Sequence, residues 1–399
     1  MLLLIIDYLQ KYFSWQAPTV FCYSSTRMML AAITTVIMTI FLGPRFIKKL
    51  YELKIGQSIR TKEECPLLAQ LHGKKKDTPT MGGILILSSM LVSLFLWMDL
   101  TSSFTLILFL TTIVLGVLGG MDDYLKLKKK NTKGVSARKK LGVQILFSGA
   151  IAMYLLVPSF NFGQFFPKPI AKESHMVKQD GKKVVQTLSA KEYTERIYLP
   201  FFKDPVVSMS GVIAFLFIIL VITGSSNAVN LTDGLDGLAS GCLLMASSVL
   251  ALVAFLSNHI DMARYLNILY IEGSGEIAIY LFALSGACLG FLWYNGYPAQ
   301  VFMGDTGSLA LGGILGVSAV LLKREILLAL VGGIFVAEAM SVILQIMSFR
   351  LRNKKRVFLC APLHHHFEYK GWPETKVVWR FWIIALLLAI VGVASLKFQ

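Results

Sequence analysis

Val206-Val-Ser-Met-Ser-Gly-Val-Ile-Ala-Phe-Leu-Phe-Ile-Ile-Leu-Val-Ile-Thr-Gly224 runs for nineteen residues without a charged side chain. A helix needs about 20 predominantly apolar residues to cross the hydrocarbon core of a bilayer. Ten stretches of this kind occur along the 399-residue chain. They are roughly 28–44, 80–98, 104–121, 141–157, 206–224, 238–256, 277–293, 307–322, 326–346 and 380–396. Lipid cannot satisfy open backbone groups, so each span is expected to be a helix. The fold class expected is therefore an all-α polytopic membrane protein of about ten transmembrane helices, one integral membrane domain over 1–399.

Composition agrees. Hydrophobic residues make up 55% of the chain and charged residues 16%, with mean hydropathy +0.64. Soluble domains carry about 25% charged residues. These figures exclude a secreted disulfide scaffold, a disordered tail and a DNA-binding domain, so no nucleic acid is expected as a partner. The net charge of +16 fits basic loops beside anionic lipid or phosphate. Cys22, Cys65, Cys242, Cys288 and Cys360 show no pairing or metal spacing. The apolar start, Met1 to Ile6, is too short for a cleavable signal.

Lys and Arg orient the spans. The loops at 45–79, 122–140 and 347–379 hold nine, eight and seven of them, 24 of the 39 in the chain. By the positive-inside rule these loops are cytoplasmic, as are 225–237 and 294–306. Both termini are then external. So is the loop 158–205, whose eight basic residues are offset by five acids. Within it Met176-Val-Lys-Gln-Asp-Gly-Lys-Lys-Val-Val185 is expected to form a small external β-hairpin around Asp180-Gly181.

Carboxylates gather on the expected cytoplasmic face. Asp122 and Asp123 end the third span, Asp233 and Asp236 lie in loop 225–237, and Asp305 lies in loop 294–306. Those two loops contain no Lys or Arg, so the acids need basic residues of neighbouring loops or a metal. The turns around them, Asn230-Leu-Thr-Asp-Gly-Leu-Asp-Gly237 and Phe302-Met-Gly-Asp-Thr-Gly-Ser308, are glycine-rich and suit anions or Mg²⁺-bound phosphates. Asp122-Asp-Tyr-Leu-Lys126 sets a carboxylate pair about one helical turn from a lysine, the mixture that Mg²⁺ and phosphate chemistry uses. The same pattern also fits a charged helix exit.

Three further features carry candidate chemistry. His72-Gly-Lys-Lys-Lys-Asp-Thr-Pro-Thr-Met-Gly-Gly83 leads into the second span, where Thr80 is expected to cap the helix. In Pro362-Leu-His-His-His-Phe-Glu368 three adjacent imidazoles suit phosphate or sugar better than one shared metal. Glu338 is the only acid inside an expected span, on a stripe with Ser341 and Gln345. Such acids serve relays or buried hydrogen bonds. A transporter would carry its ionisable residues near the midplane, whereas five of these six acids sit at the membrane face.

Taken together, these motifs resemble the polyprenyl-phosphate N-acetylhexosamine-1-phosphate transferases. The resemblance runs over nearly the whole chain: Thr78-Pro-Thr-Met-Gly-Gly83, Asp122-Asp-Tyr-Leu-Lys126, Asn230 to Gly237, Phe302 to Ser308, and Pro362 to Glu368. The last of these is similar to the muramoyl branch rather than to the N-acetylglucosamine relatives. Departures are a long external loop at 158–205 and Asp77 where glycine is common. The resemblance implies a Mg²⁺-dependent transfer from UDP-N-acetylmuramoyl-pentapeptide to undecaprenyl phosphate, giving lipid I and UMP, the first membrane step of peptidoglycan synthesis. It implies an inner-membrane, multi-pass homodimer with a cytoplasmic site. It implies Asp305 as the Mg²⁺ ligand. Asp122, Asp123 and Lys126 would then serve the lipid phosphate, with Asp122 as its base. Lys75, Asn230, Leu231, Asp233, Gly234, Asp236 and Phe302 would line the nucleotide end, while Thr80, Asn295, His364, His365 and His366 would hold phosphates or sugar.

Overall fold

The computed structural model describes residues 5–6, 8, 11–12, 19–53, 78–129, 134–157, 168–179, 182–352 and 354–397. Among them, nine helices are long and apolar enough to cross a membrane. They are α1 (Ser24–Glu52), α3 (Ser103–Lys129), α4 (Ala137–Leu156), α6 (Gly211–Thr232), α7 (Leu238–Ser257), α9 (Gly275–Asn295), α10 (Gly304–Leu322), α12 (Gly333–Leu351) and α14 (Glu374–Ser395). A tenth apolar helix, α2 (Gly83–Trp97), is shorter. Short helices α5 (Ala190–Glu195), α8 (Ile260–Tyr265), α11 (Glu325–Val331) and α13 (Leu363–Tyr369) complete the set.

Helix α10 is the centre of the bundle, with 94% of its apolar stretch buried. Small residues allow this, because transmembrane helices approach closely where side chains are small. A Cβ on Gly307 would lie 2.9 Å from the Cα of Gly83 on α2, and one on Gly316 would lie 3.0 Å from the Cα of Ile222 on α6. Helices α2, α3 and α6 therefore close around α10 at nearly backbone distance.

The hairpin expected at 176–185 is present. Strands β1 (Ala171–Gln179) and β2 (Lys182–Leu188) pair antiparallel, with Met176 opposite Val185 and Gln179 opposite Lys182. The turn at Asp180-Gly181 lies outside the described residues. Strands β3 (Arg196–Ile197) and β4 (Val207–Ser208) form a second small ladder, and β5 (Tyr270–Ile271) adds to the free edge of β1. Helix α4 begins beside the acids and ends at Leu156, before the hairpin, and β5 follows the far end of α7. The sheet thus lies at the end of the bundle opposite the acids.

Three expectations are corrected. The third helix does not end at Asp122 and Asp123 but continues through them to Lys129, fixing both carboxylates on a rigid element. The span expected at 326–346 is two helices, α11 and α12. Gly332 leaves helical geometry (φ −90°, ψ 21°), and adjacent glycines at 332 and 333 supply little helix propensity. Thr80 does not cap α2. The N-cap is Gly82, without a side-chain cap, because residues 79–83 are drawn into backbone hydrogen bonds with 302–303.

Candidate active site

The acids meet where α3, α4, α6 and α10 converge. Asp122 and Lys126 lie one turn apart on α3 and face the same way. Asp305 occupies the first turn of α10. Lys126 Nζ lies 2.7 Å from Asp122 Oδ2 and 3.1 Å from Asp305 Oδ2. Lys140 Nζ, from α4, lies 3.0 Å and 2.7 Å from the same two oxygens. Two ammonium groups thus bridge two carboxylates. Asp305, without a basic neighbour in its own loop, finds two on α3 and α4.

Each carboxylate is also held by neutral donors. The Val135 N–H donates to Asp122 Oδ1 at 2.6 Å. Asn230 Nδ2 donates to Asp305 Oδ1 at 2.9 Å and to Ser308 Oγ at 2.8 Å. Asp123 faces α10, accepting the Asp305 N–H (3.2 Å), the Thr306 N–H (2.9 Å) and the Thr306 hydroxyl (2.7 Å). The first N–H groups of a helix lack intrahelical acceptors, and a carboxylate there also complements the helix dipole. Asp123 therefore caps α10 from another helix and sets the position of Asp305.

Negative charge exceeds positive here. Two lysines offset Asp122 and Asp305, while Asp123 adds a third carboxylate without a lysine of its own. Asp233, at the C-terminus of α6, is pushed up to about 7 by burial first and then by the nearby Asp305 and Asp123 carboxylates. Oxygens of Asp122, Asp123 and Asp305 lie within 4.8 Å of one another. That hard-oxygen donor set, with acid in excess, fits a Mg²⁺ ion.

The rest of the expected nucleotide end divides. Asp236 Oδ2 accepts the Ala299 N–H at 2.9 Å, and its own N–H donates to Glu374 Oε1 at 2.8 Å. Asn295 is buried; its Oδ1 accepts from Gly237 N–H (3.1 Å) and Ser240 Oγ (3.0 Å), and its Nδ2 donates to the Val301 carbonyl (2.9 Å). These two side chains tie the 233–237 turn to the 295–301 segment. Phe302 pairs by backbone with Pro79 and Gly82, each bond 2.8 Å. Thr80 sits beside Asp123, since a Cβ on Gly304 would lie 2.9 Å from Thr80 Oγ1 and 2.7 Å from Asp123 Oδ2. Leu231 is half-buried beside Asn230. Lys75 lies outside the described residues.

The three histidines diverge on α13. His364 is buried, with Nδ1 3.2 Å from Glu338 Oε1. His365 Nδ1 lies 2.7 Å from Glu368 Oε2. His366 Nδ1 accepts the Leu359 N–H at 3.1 Å, and burial, then Lys370, lowers its pKa.

Comparison with known proteins agrees with this geometry. Residues 105–323 match the model of glycosyl transferase family 4, and residues 75–87 match signature 1 of phospho-N-acetylmuramoyl-pentapeptide-transferase. The phospho-N-acetylmuramoyl-pentapeptide-transferase of Protochlamydia amoebophila is 68% identical over 411 aligned positions, covering all of both chains. Those of Thermodesulfovibrio yellowstonii and Desulfotalea psychrophila are 46% and 44% identical, each over 95% of both chains. The chain belongs to the phospho-N-acetylmuramoyl-pentapeptide-transferase family.

The family assignment makes the chain a transferase and a multi-pass membrane protein. Sequence reasoning missed Lys140, which looks like any other member of a basic loop. It also missed Thr306 and Ser308, which stand inside a quoted motif, and Glu374. Gly234 offers a direct test of how tightly this transferase's turn is seated. A Cβ there would lie 2.3 Å from His364 Nε2. Gly234→Ala is expected to cost about 1–3 kcal/mol of stability through overpacking. Displacing the turn should also slow turnover about tenfold or more. Thermal unfolding and initial rates measure the two effects.

Proposed function

We propose that the chain transfers phospho-N-acetylmuramoyl-pentapeptide from its UDP-linked precursor to undecaprenyl phosphate, with Mg²⁺, at the cytoplasmic face of the inner membrane. A lipid phosphate oxygen attacks the sugar-bearing phosphorus. The bond to the bridging oxygen breaks, UMP leaves and lipid I forms. The carrying observation is the cluster of Asp122, Asp305, Lys126 and Lys140 at one end of a transmembrane bundle, where a soluble and a lipid-borne substrate can meet.

Two anionic phosphates must approach each other, so their repulsion has to be offset. Mg²⁺, held by Asp305 with Asp122 or Asp123, would supply part of that neutralisation. Lys126 and Lys140 supply the rest by turning from carboxylate to phosphate oxygens. Asn230 orients Asp305, and Asp123 fixes the helix end that carries it. Asn230, Leu231, Asp233, Gly234, Asp236, Phe302 and Lys75 receive the nucleotide end, and Thr80 and the histidine helix lie toward the phosphates and sugar. The test is turnover by purified enzyme with undecaprenyl phosphate and either UDP-N-acetylmuramoyl-pentapeptide or UDP-N-acetylglucosamine. UMP release and a lipid-linked product are expected with the first alone. Product with the second alone would sink this reading.

A further inference from the structure

Glu338 lies on α12, fully buried, in a helix that faces lipid along much of its length. A carboxylate in such a helix is costly unless its partners repay it. Its partners lie on α13. Oε2 accepts the Leu363 N–H at 2.6 Å, Oε1 accepts the His364 N–H at 3.1 Å, and Oε1 faces His364 Nδ1 at 3.2 Å. The rest of the same α12 stripe carries the chain leading into α13. Gln345 Oε1 accepts from Val357 N–H and Phe358 N–H at 3.1 and 2.9 Å, and Ser348 Oγ donates to the Lys355 carbonyl at 2.9 Å.

The other side of the imidazole faces the site. Both ring nitrogens of His364 are buried without a hydrogen bond among the described residues: Nδ1 faces the Glu338 carboxylate at 3.2 Å, and Nε2 lies against Gly234. Gly234 is flanked by Asp233 and belongs to the turn that ends with Asp236 and Gly237. A packing contact alone would not need a nitrogen there. A carboxylate facing one ring nitrogen at 3.2 Å favours the proton on that nitrogen, and so biases what the other nitrogen offers. The neighbouring His365 makes a full hydrogen bond of this kind, Nδ1 to Glu368 Oε2 at 2.7 Å.

We infer that Glu338 is a positioning residue for the transfer reaction, acting through His364: it holds Nδ1 and the start of α13 so that Nε2 is presented at the 233–237 turn. The inference rests on the reaction proposed above and adds a residue to it.

The experiment uses the full-length enzyme in detergent and compares Glu338→Gln, His364→Gln and the double variant for kcat and KM. Glu338→Gln keeps a carbonyl oxygen for the α13 N–H groups while removing the carboxylate from Nδ1. A loss of kcat of about 10- to 100-fold is expected, the scale of a misplaced catalytic group, with KM for the soluble substrate little changed. The double variant should be no slower than the slower single one, because both act through one contact. In ¹⁵N NMR of histidine-labelled enzyme, read without substrate, His364 Nδ1 should carry its proton in the wild type and lose that single pattern in Glu338→Gln. If Glu338→Gln does not fold, Glu338→Asp replaces it with the same losses expected, since its carboxylate is drawn back by one methylene. Wild-type kcat, additive losses, or an unchanged His364 pattern would overturn the inference. Absence of muramoyl turnover in the wild type would sink the proposed reaction alone, because the ¹⁵N pattern reports the Glu338–His364 contact without substrate.

Discussion

Asp305→Asn is expected to reduce turnover by about 10²- to 10³-fold, the range seen when one preorganised electrostatic group is lost from an active site. The side chain keeps its size, so the first turn of α10 stays in place, still capped by Asp123. What disappears is one of the two carboxylates that Lys126 and Lys140 share. Two ammonium groups are then left facing Asp122 alone, and a proposed Mg²⁺ ligand is gone. The loss should therefore persist when Mg²⁺ is raised to saturation, and the Mg²⁺ concentration giving half-maximal rate should rise. Initial rates across a Mg²⁺ series, with thermal unfolding as the control for folding, measure this. Near-normal turnover in a folded Asp305→Asn enzyme would remove Asp305 from the chemistry.

The parts of this site that can be read from the sequence are those where a residue is anomalous in its own neighbourhood. Asp233, Asp236 and Asp305 stand out because their loops contain no Lys or Arg. Asp122 and Asp123 stand out as a pair beside a membrane span. Lys140 does not stand out, since it is one of eight basic residues in its loop. Only the folded path of α4 brings it within 2.7 Å of Asp305. The buried pair Arg27–Glu276, 2.8 Å apart, is hidden for a related reason. Each member lies just outside an expected span, and their partnership joins helices far apart in the chain.

Glu338 illustrates the middle case. Its position inside an apolar helix marks it as unusual, but its partners are backbone N–H groups some 25 residues away. No periodicity connects a carboxylate to a distant amide. The number of apolar helices, by contrast, follows from hydropathy because lipid imposes the same demand on every span. The break at Gly332 escapes that logic, since α11 and α12 are both apolar and their separation depends on local backbone geometry.

Asp122→Asn separates two roles for this carboxylate by their pH dependence. Asp122 is fully buried, and both oxygens are already engaged: Oδ1 by the Val135 N–H, Oδ2 by Lys126 and Lys140. That arrangement suits a group that places ammonium groups rather than one that collects a proton. The lipid phosphate has its own second pKa near ~6, so above that value the dianion is present without help. The wild-type single-turnover rate, with Mg²⁺ and both substrates saturating, should rise through that pKa and then level off. Asp122→Asn should keep the same inflection at a plateau about 10²-fold lower, because misplacing Lys126 and Lys140 is an electrostatic and positional loss. An obligatory base predicts otherwise: its removal abolishes the inflection, and the residual rate climbs with hydroxide concentration across the whole range. A variant profile of that second shape would assign Asp122 the proton transfer and reject the positioning role.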